Sequence, residues 1–323
     1  MVSWGMLGTG DVTEQKSGPA FYTCENSRLY AVFNRTHAKA VDYAKRHNVP
    51  VVHESIDALL GDPYVGAVYV ATPPVTHKEL ALRVIAAGKP LCLEKPMAMN
   101  RGECQEIIAA AKQKKVPVYV TYYRRSMEKF LKIKEVLRGG LIDKVGSVQV
   151  TQYQELMPGV REGEIPWRVD PAISGGGILV DMGSHIFDIL DFLLCPIAAI
   201  SGTVKNFGGH YKAEDSAVAS FVFEDGVLGS GTFNFNTDRW VDRIEIAGEK
   251  GRIVFSCFDN EPVKIYTASG VESLDFTPPD PVYFPFVQDM NKRIESGDTK
   301  GYVETAGRPT ELLDQLLASY AKE

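Results

Sequence analysis

Cysteine is scarce in this chain of 323 residues: five are present, Cys24, Cys92, Cys104, Cys195 and Cys257, and none belongs to a C-x-x-C pair. An odd number cannot all pair within one chain, and a reducing, cytoplasmic setting is expected. Basic residues are also in deficit. Against 41 Asp and Glu stand 35 Lys and Arg, a formal net charge of -6, which gives no broad positive field for a phosphate backbone and removes nucleic acid from the expected partners. A long apolar run is missing as well. The most apolar later stretch, "IFDILDFLLCPIAAI", contains Asp188, Asp191 and Pro196, which does not suit a membrane span. The opening "MVSWGMLGTG" lacks a basic segment followed by an apolar leader, so secretion is not expected. No His/Cys/Asp/Glu set has ligand spacing, so no metal is expected either.

What is present is the composition of an ordinary globular protein, 45% apolar and 24% charged, at a length that suits two domains. The first 120 residues alternate short apolar runs ("SWGMLG", "RLYAVFN", "VVHE", "GAVYVAT", "LCLE", "VPVYVTY") with helical patterns ("HAKAVDYAKRH", "THKELALRVIAAG", "RGECQEIIAAAKQKK"). That rhythm predicts a doubly wound parallel sheet of the Rossmann kind. From about residue 145 in-out alternation and turn dipeptides such as Asp225-Gly226 take over, the pattern of antiparallel strands joined by hairpins. Helical segments interrupt it near residues 127–138, 177–194 and from about 284. We therefore expect an α/β chain: a dinucleotide-binding domain over 1–122, then over 123–323 an α+β domain with a large, mostly antiparallel sheet that binds substrate and builds a homo-oligomer, a dimer or tetramer.

The first strand runs into Gly8-Thr9-Gly10-Asp11-Val12-Thr13, a G-x-G-x-x-T form of the dinucleotide fingerprint. Gly8 permits a tight turn and Gly10 lets backbone approach a pyrophosphate at the following helix start. Thr13 replaces the usual third small residue. An NAD enzyme usually places an acid at the end of the second strand; here stand Asn34, Arg35 and Thr36, with Lys39 one turn on. Without a carboxylate to repel a 2′-phosphate, and with two cations near it, NADP(H) is favoured over NAD(H).

"VYVATPPVTHKELALRVIAAGKPLCLEKPMAMN" and, far downstream, "WRVDPAISGGGILVDMGSHIFDILDFL" resemble the two signatures of the Gfo/Idh/MocA oxidoreductases. The first carries T-P-x-x-x-H as Thr72, Pro73 and His77, then E-K-P as Glu94, Lys95 and Pro96. The second carries G-G-x-x-x-D-x-x-x-H as Gly176, Gly177, Asp181 and His185. The resemblance implies an NAD(P)-dependent oxidoreductase acting on a secondary alcohol or ketone of a sugar, polyol or related polyhydroxy compound. It assigns catalysis to Lys95, His185 and Asp181, and places Thr72, Pro73, His77, Glu94, Trp167, Arg168 and Tyr283 near the cofactor. The chemistry agrees with those roles. Lys95 follows a strand to the ligand-binding edge of the sheet, where an ammonium can stabilise charge on the reacting oxygen. Asp181 and His185, four apart on a helix, share a face, and a carboxylate there suits a proton-carrying imidazole. Tyr123, Arg124 and Trp167, with Asp181 and His185, are the candidate substrate contacts; Tyr123 departs from the asparagine common in relatives. Two other functions remain open: a glycosidase using nicotinamide transiently, and a non-catalytic NAD(P)-binding regulator.

Overall fold

The computed structural model describes residues 1–320. Two compact units divide the chain: Met1–Ser126 with Pro279–Gly307, and Met127–Pro278 with the chain from Arg308 onward.

In the first unit, strands β1 (Val2–Leu7), β2 (Ser27–Phe33), β3 (Val51–Val52), β4 (Ala67–Val70), β5 (Leu91–Leu93) and β6 (Val118–Val120) alternate with helices α1 (Asp11–Gln15), α2 (Gly18–Thr23), α3 (His37–Arg46), α4 (Ile56–Gly61), α5 (His77–Ala86) and α6 (Arg101–Lys114). The six strands pair in parallel in the order β3-β2-β1-β4-β5-β6. Every position of β4, β5 and β6 is buried, because crossover helices cover both faces of a parallel sheet and such strands read as continuous apolar runs. The strand order reverses between β1 and β4, and the carboxyl ends of the strands beside such a reversal form the ligand crevice of open α/β sheets. Gly8 follows β1, Thr72 lies just beyond β4, and Glu94 follows β5. The segment after Lys95 is fixed by α6: Asn100 accepts the Glu103 N–H at 3.0 Å, and Glu103 in turn accepts the Met99 N–H at 3.2 Å. Reciprocal caps of this kind define where a helix begins.

The second unit holds α7 (Glu128–Arg138), β7 (Val145–Glu155), α8 (Pro171–Ser174), α9 (Ile178–Leu193) and strands β8 (Ile197–Lys205), β9 (Ser216–Phe223), β10 (Leu228–Thr237), β11 (Val241–Gly248), β12 (Gly251–Phe255), β13 (Val263–Thr267) and β14 (Gly270–Leu274). They form one eight-stranded sheet, β14-β13-β12-β11-β7-β10-β9-β8. Its neighbours are antiparallel except β7 and β10, which run parallel. Asp225-Gly226 makes the expected β9–β10 turn: Gly226 has φ +90°, and Asp225 Oδ1 accepts the Val227 N–H at 3.1 Å, a conformation that favours glycine. Residues of α7 and α9 form one core with the inward faces of the strands, around Phe187, Phe221, Phe233 and Ile244.

The domain expectation needs one correction. After β14 the chain makes α10 (Phe284–Glu295) and α11 (Val303–Ala306), and residues 279–307 belong to the first unit, not to a continuous 123–323 domain. The cause is specific burial. Trp4, without exposure, donates its indole N–H to Asn291 Oδ1 at 3.1 Å, and Tyr302 N–H donates to Val118 O at 2.9 Å beside β6. Helix α12 (Arg308–Leu317) then closes the second unit, with Arg308 Nε 2.6 Å from Asp191 Oδ2.

Candidate active site

The glycine turn divides its work between two residues. Gly8 has φ +98°, and a Cβ there would lie 2.6 Å from Ala71 O, so only glycine lets β1 and β4 approach at this point. Around the Cβ position of Gly10 nothing lies within 4 Å, and its backbone is open to a diphosphate. Thr13 is accommodated because its hydroxyl donates to Gly10 O at 2.7 Å. Asn34 Nδ2 donates to Thr9 Oγ1 at 2.8 Å, while Asn34 Oδ1 accepts the Thr36 N–H at 2.9 Å. Asn34 is thus occupied in pinning the end of β2 to the turn. Asp11, Arg35, Thr36 and Lys39 are exposed and Val12 is half-buried. An open glycine backbone at the turn and two exposed cations beyond β2 fit a dinucleotide.

At the end of β5 the charged pair separates into two fates. Glu94 is buried, and its Oε1 accepts hydroxyl hydrogens from Tyr69 at 2.6 Å and Tyr283 at 3.1 Å. Burial raises the affinity of its carboxyl for a proton, and the hydroxyl donors and Lys95 oppose that rise. Lys95 is half-buried, and its N–H donates to Thr121 Oγ1 at 3.1 Å. The Lys95–Pro96 bond is cis.

Three cofactor-side expectations change here. Glu94 is spent inside the unit rather than on a ligand. Tyr283, 2% exposed, is stacked on Tyr123 with ring centroids 4.3 Å apart and gives its hydroxyl to Glu94, so it braces the site from within. His77 has no exposure; Nδ1 lies 2.9 Å from Pro96 O and Nε2 2.7 Å from Thr72 O. Its ring joins the Thr72-Pro73 turn to the segment after Lys95, and burial lowers its proton affinity. Thr72 is half-buried and Pro73 exposed, as a ligand contact requires. Tyr123 and Arg124 are buried, with the Arg124 guanidinium 4.8 Å from the Tyr123 ring centroid.

In the second unit Asp181 and His185 both lie on α9, Asp181 in its first turn and half-buried, His185 buried with its ring 6.1 Å from that of Phe258. Arg168 Nε is 3.7 Å from Asp181 Oδ2, and its guanidinium lies over the Trp167 ring at 4.5 Å. Arg168 thus stands at Asp181 with Trp167 stacked beneath its guanidinium. The start of α9 rests on a residue that sequence reading missed. Glu214, 1% exposed, accepts the Gly177 N–H at 2.7 Å, and a Cβ on Gly177 would stand 2.4 Å from Glu214 O. The two glycines before Asp181 therefore admit an acid to the helix N-terminus, where backbone donors favour negative charge. Glu214 lies in a loop with no helical or strand periodicity to flag it. Tyr69, the other missed residue, reads as one apolar position of a buried strand.

The two units match two descriptions. A family model for an oxidoreductase family with an NAD-binding Rossmann fold covers residues 2–122, and the GFO/IDH/MocA C-terminal domain covers residues 130–254. The chain belongs to the Gfo/Idh/MocA family of oxidoreductases. An oxidoreductase of Formosa agariphila is 35% identical over 97% of each chain. A scyllo-inositol 2-dehydrogenase (NADP(+)) of Bacillus subtilis is 26% identical over 88% of this chain and 85% of the relative. Among solved structures, a levoglucosan dehydrogenase in complex with NADH and levoglucosan has the same fold, with a TM-score of 0.87 at 21% identity over 99% of this chain and 97% of that one.

Burial, which outweighs its backbone donors, pushes the Glu214 carboxyl up to about 7 from 4.5. The folded state thus binds this proton more tightly than the unfolded chain, so its stabilisation is complete below about pH 4.5 and is lost as pH rises through 7. The loss is at most on the order of 3 kcal/mol. Unfolding midpoints measured from pH 5 to 8 should fall by about 5 °C more in the wild type than in Glu214→Gln; parallel curves would remove Glu214 as the source.

Proposed function

We propose that this chain is an NADP(H)-preferring oxidoreductase that interconverts a secondary alcohol and a ketone on a sugar, polyol or related polyhydroxy compound. The observation that carries the proposal is Lys95, half-buried at the carboxyl edge of the parallel sheet, with its N–H held by Thr121 and its neighbour Glu94 held by two tyrosines. Gly8, Gly10, Arg35, Lys39, Thr72 and Pro73 hold the cofactor. When bound, the cofactor supplies or accepts the hydride. The Lys95 ammonium donates a hydrogen bond to the substrate oxygen and stabilises the charge that develops on it. His185 takes the hydroxyl proton in oxidation and returns it in reduction, and Asp181 sets its ring and favours its protonated form. Relatives named scyllo-inositol 2-dehydrogenase and 1,5-anhydro-D-fructose reductase support the substrate class.

The outward face of the eight-stranded sheet supports a homo-oligomer. It leaves Val218 58% and Leu228 64% exposed, and an antiparallel sheet with one face on its own core has the other free to meet a second copy. Sedimentation at micromolar concentration should give a dimer or larger; a monomer would contradict this.

Turnover tests the chemistry. In an NADP(H)-coupled screen of inositols, anhydrosugars and keto-sugars, Lys95→Ala should lose about a thousandfold in kcat while its cofactor Kd stays within about threefold. Activity within tenfold of wild type would take Lys95 out of the mechanism.

Titration tests the cofactor. NADPH should bind about tenfold or more tightly than NADH, and Arg35→Ala should erase most of that ratio by removing a phosphate partner. Equal affinities in the wild type would overturn the preference.

A further inference from the structure

Gln152 of β7 has no exposure, and neither its Oε1 nor its Nε2 has a hydrogen-bond partner. It lies on the inward face of the strand, after Val148 and Val150, each 2% exposed. A third apolar residue there would complete the core. A buried amide with donor and acceptor both unused destabilises the fold, and such a group marks a partner still to be supplied.

The surroundings of Gln152 lead to His185. Its register partners are Phe233 on β10 and Asp242 on β11. The Phe233 ring lies 6.2 Å from that of Phe187, two residues beyond His185 on α9. Asp242 accepts the N–H groups of Cys257 at 2.9 Å and Phe258 at 2.5 Å, and Phe258 is the residue whose ring faces His185 at 6.1 Å. On the β11 flank, then, the neighbour of Gln152 holds the backbone of Phe258, whose ring faces His185, while on the β10 flank Phe233 meets another face of α9 at Phe187. The next inward residue along β7, Gln154, is half-buried. Partial exposure therefore begins one residue pair beyond the amide.

We propose that Gln152, paired in register with the carboxylate that holds Phe258 beside His185, binds the substrate hydroxyl adjacent to the one His185 deprotonates. This rests on the polyol reading above. A primary amide offers one acceptor and two donors, and adjacent hydroxyls of a polyol present both a donor and an acceptor, so a vicinal diol satisfies both ends of the side chain. A site that hydrogen-bonds a substrate hydroxyl rejects analogues lacking it, because the buried amide is then left unpaired. Gln152 would thereby select polyhydroxy compounds over simple secondary alcohols.

Two measurements on Gln152→Met, a replacement of similar volume, test the assignment. Without ligand, the unfolding midpoint should rise by about 2 °C or more, because an amide kept open for a ligand weakens the empty fold. With scyllo-inositol, levoglucosan and 1,5-anhydro-D-fructose as probes, KM for whichever the wild type turns over should rise about thirtyfold, a larger factor than any fall in kcat. A lower midpoint, or failure of both Gln152→Met and Gln152→Leu to fold, would make the amide a structural partner and overturn the proposal. So would an unchanged KM. If the wild type turns over none of the probes and no other polyol, the proposed function fails first and takes this ligand with it, an outcome distinct from an active enzyme indifferent to Gln152.

Discussion

A carboxyl group buried at the end of β5 is the constraint on which the first unit's chemistry depends. Glu94 cannot leave water without partners, and a desolvated carboxyl is tolerable only where donors meet it. The donors come from segments far apart in sequence, Tyr69 on β4 and Tyr283 at the start of α10. Tyr283 is delivered by residues 279–307, the part of the chain that rejoins the first unit. The return segment is thus more than a packing accessory: it brings a hydroxyl to the residue beside Lys95. His77, closed between Thr72 O and Pro96 O, braces the other side of the same turn.

A parallel logic holds in the second unit. Helix α9 begins at two glycines because Glu214 must reach its first N–H groups, and the acid is buried there, as Glu94 is. In each unit a buried acid stands close to a residue assigned to the reaction: Glu94 precedes Lys95, and Glu214 holds the start of the helix that carries Asp181. Lys95 and Asp181 are half-buried, whereas Glu94 and Glu214 are buried. Gln152 differs from both pairs, since it is buried and unpaired, and this is why a ligand is the natural partner for it.

Much of the architecture was legible because its signals are local and repeated. Apolar runs of "AVYV" and "LCL" type mark strands covered on both faces, the glycine turn announces itself, and Asp225-Gly226 marks a hairpin. The fate of individual polar side chains was not legible. Glu94, His77 and Tyr283 look like ligand-facing residues in sequence, because a motif reports that a residue is needed and not which way it turns. Whether a histidine meets a cofactor or two backbone carbonyls depends on where a second loop lies, and residues 72 and 96 are not neighbours until the sheet forms. The domain boundary failed for the same reason. The helix from Phe284 was expected, but its allegiance depends on Trp4 and Asn291 meeting across 287 positions, a long-range pairing that no periodicity encodes.

The claim that ties these parts together is that Lys95 and His185 serve a redox step at a carbon bearing oxygen. The most direct measurement is turnover with NADPH carrying deuterium at both C4 positions, followed by mass and NMR analysis of the product. The account predicts deuterium bonded to the carbon that had been the carbonyl, one label for each cofactor oxidised. An unlabelled product, or sugar released with no cofactor consumed, would contradict it.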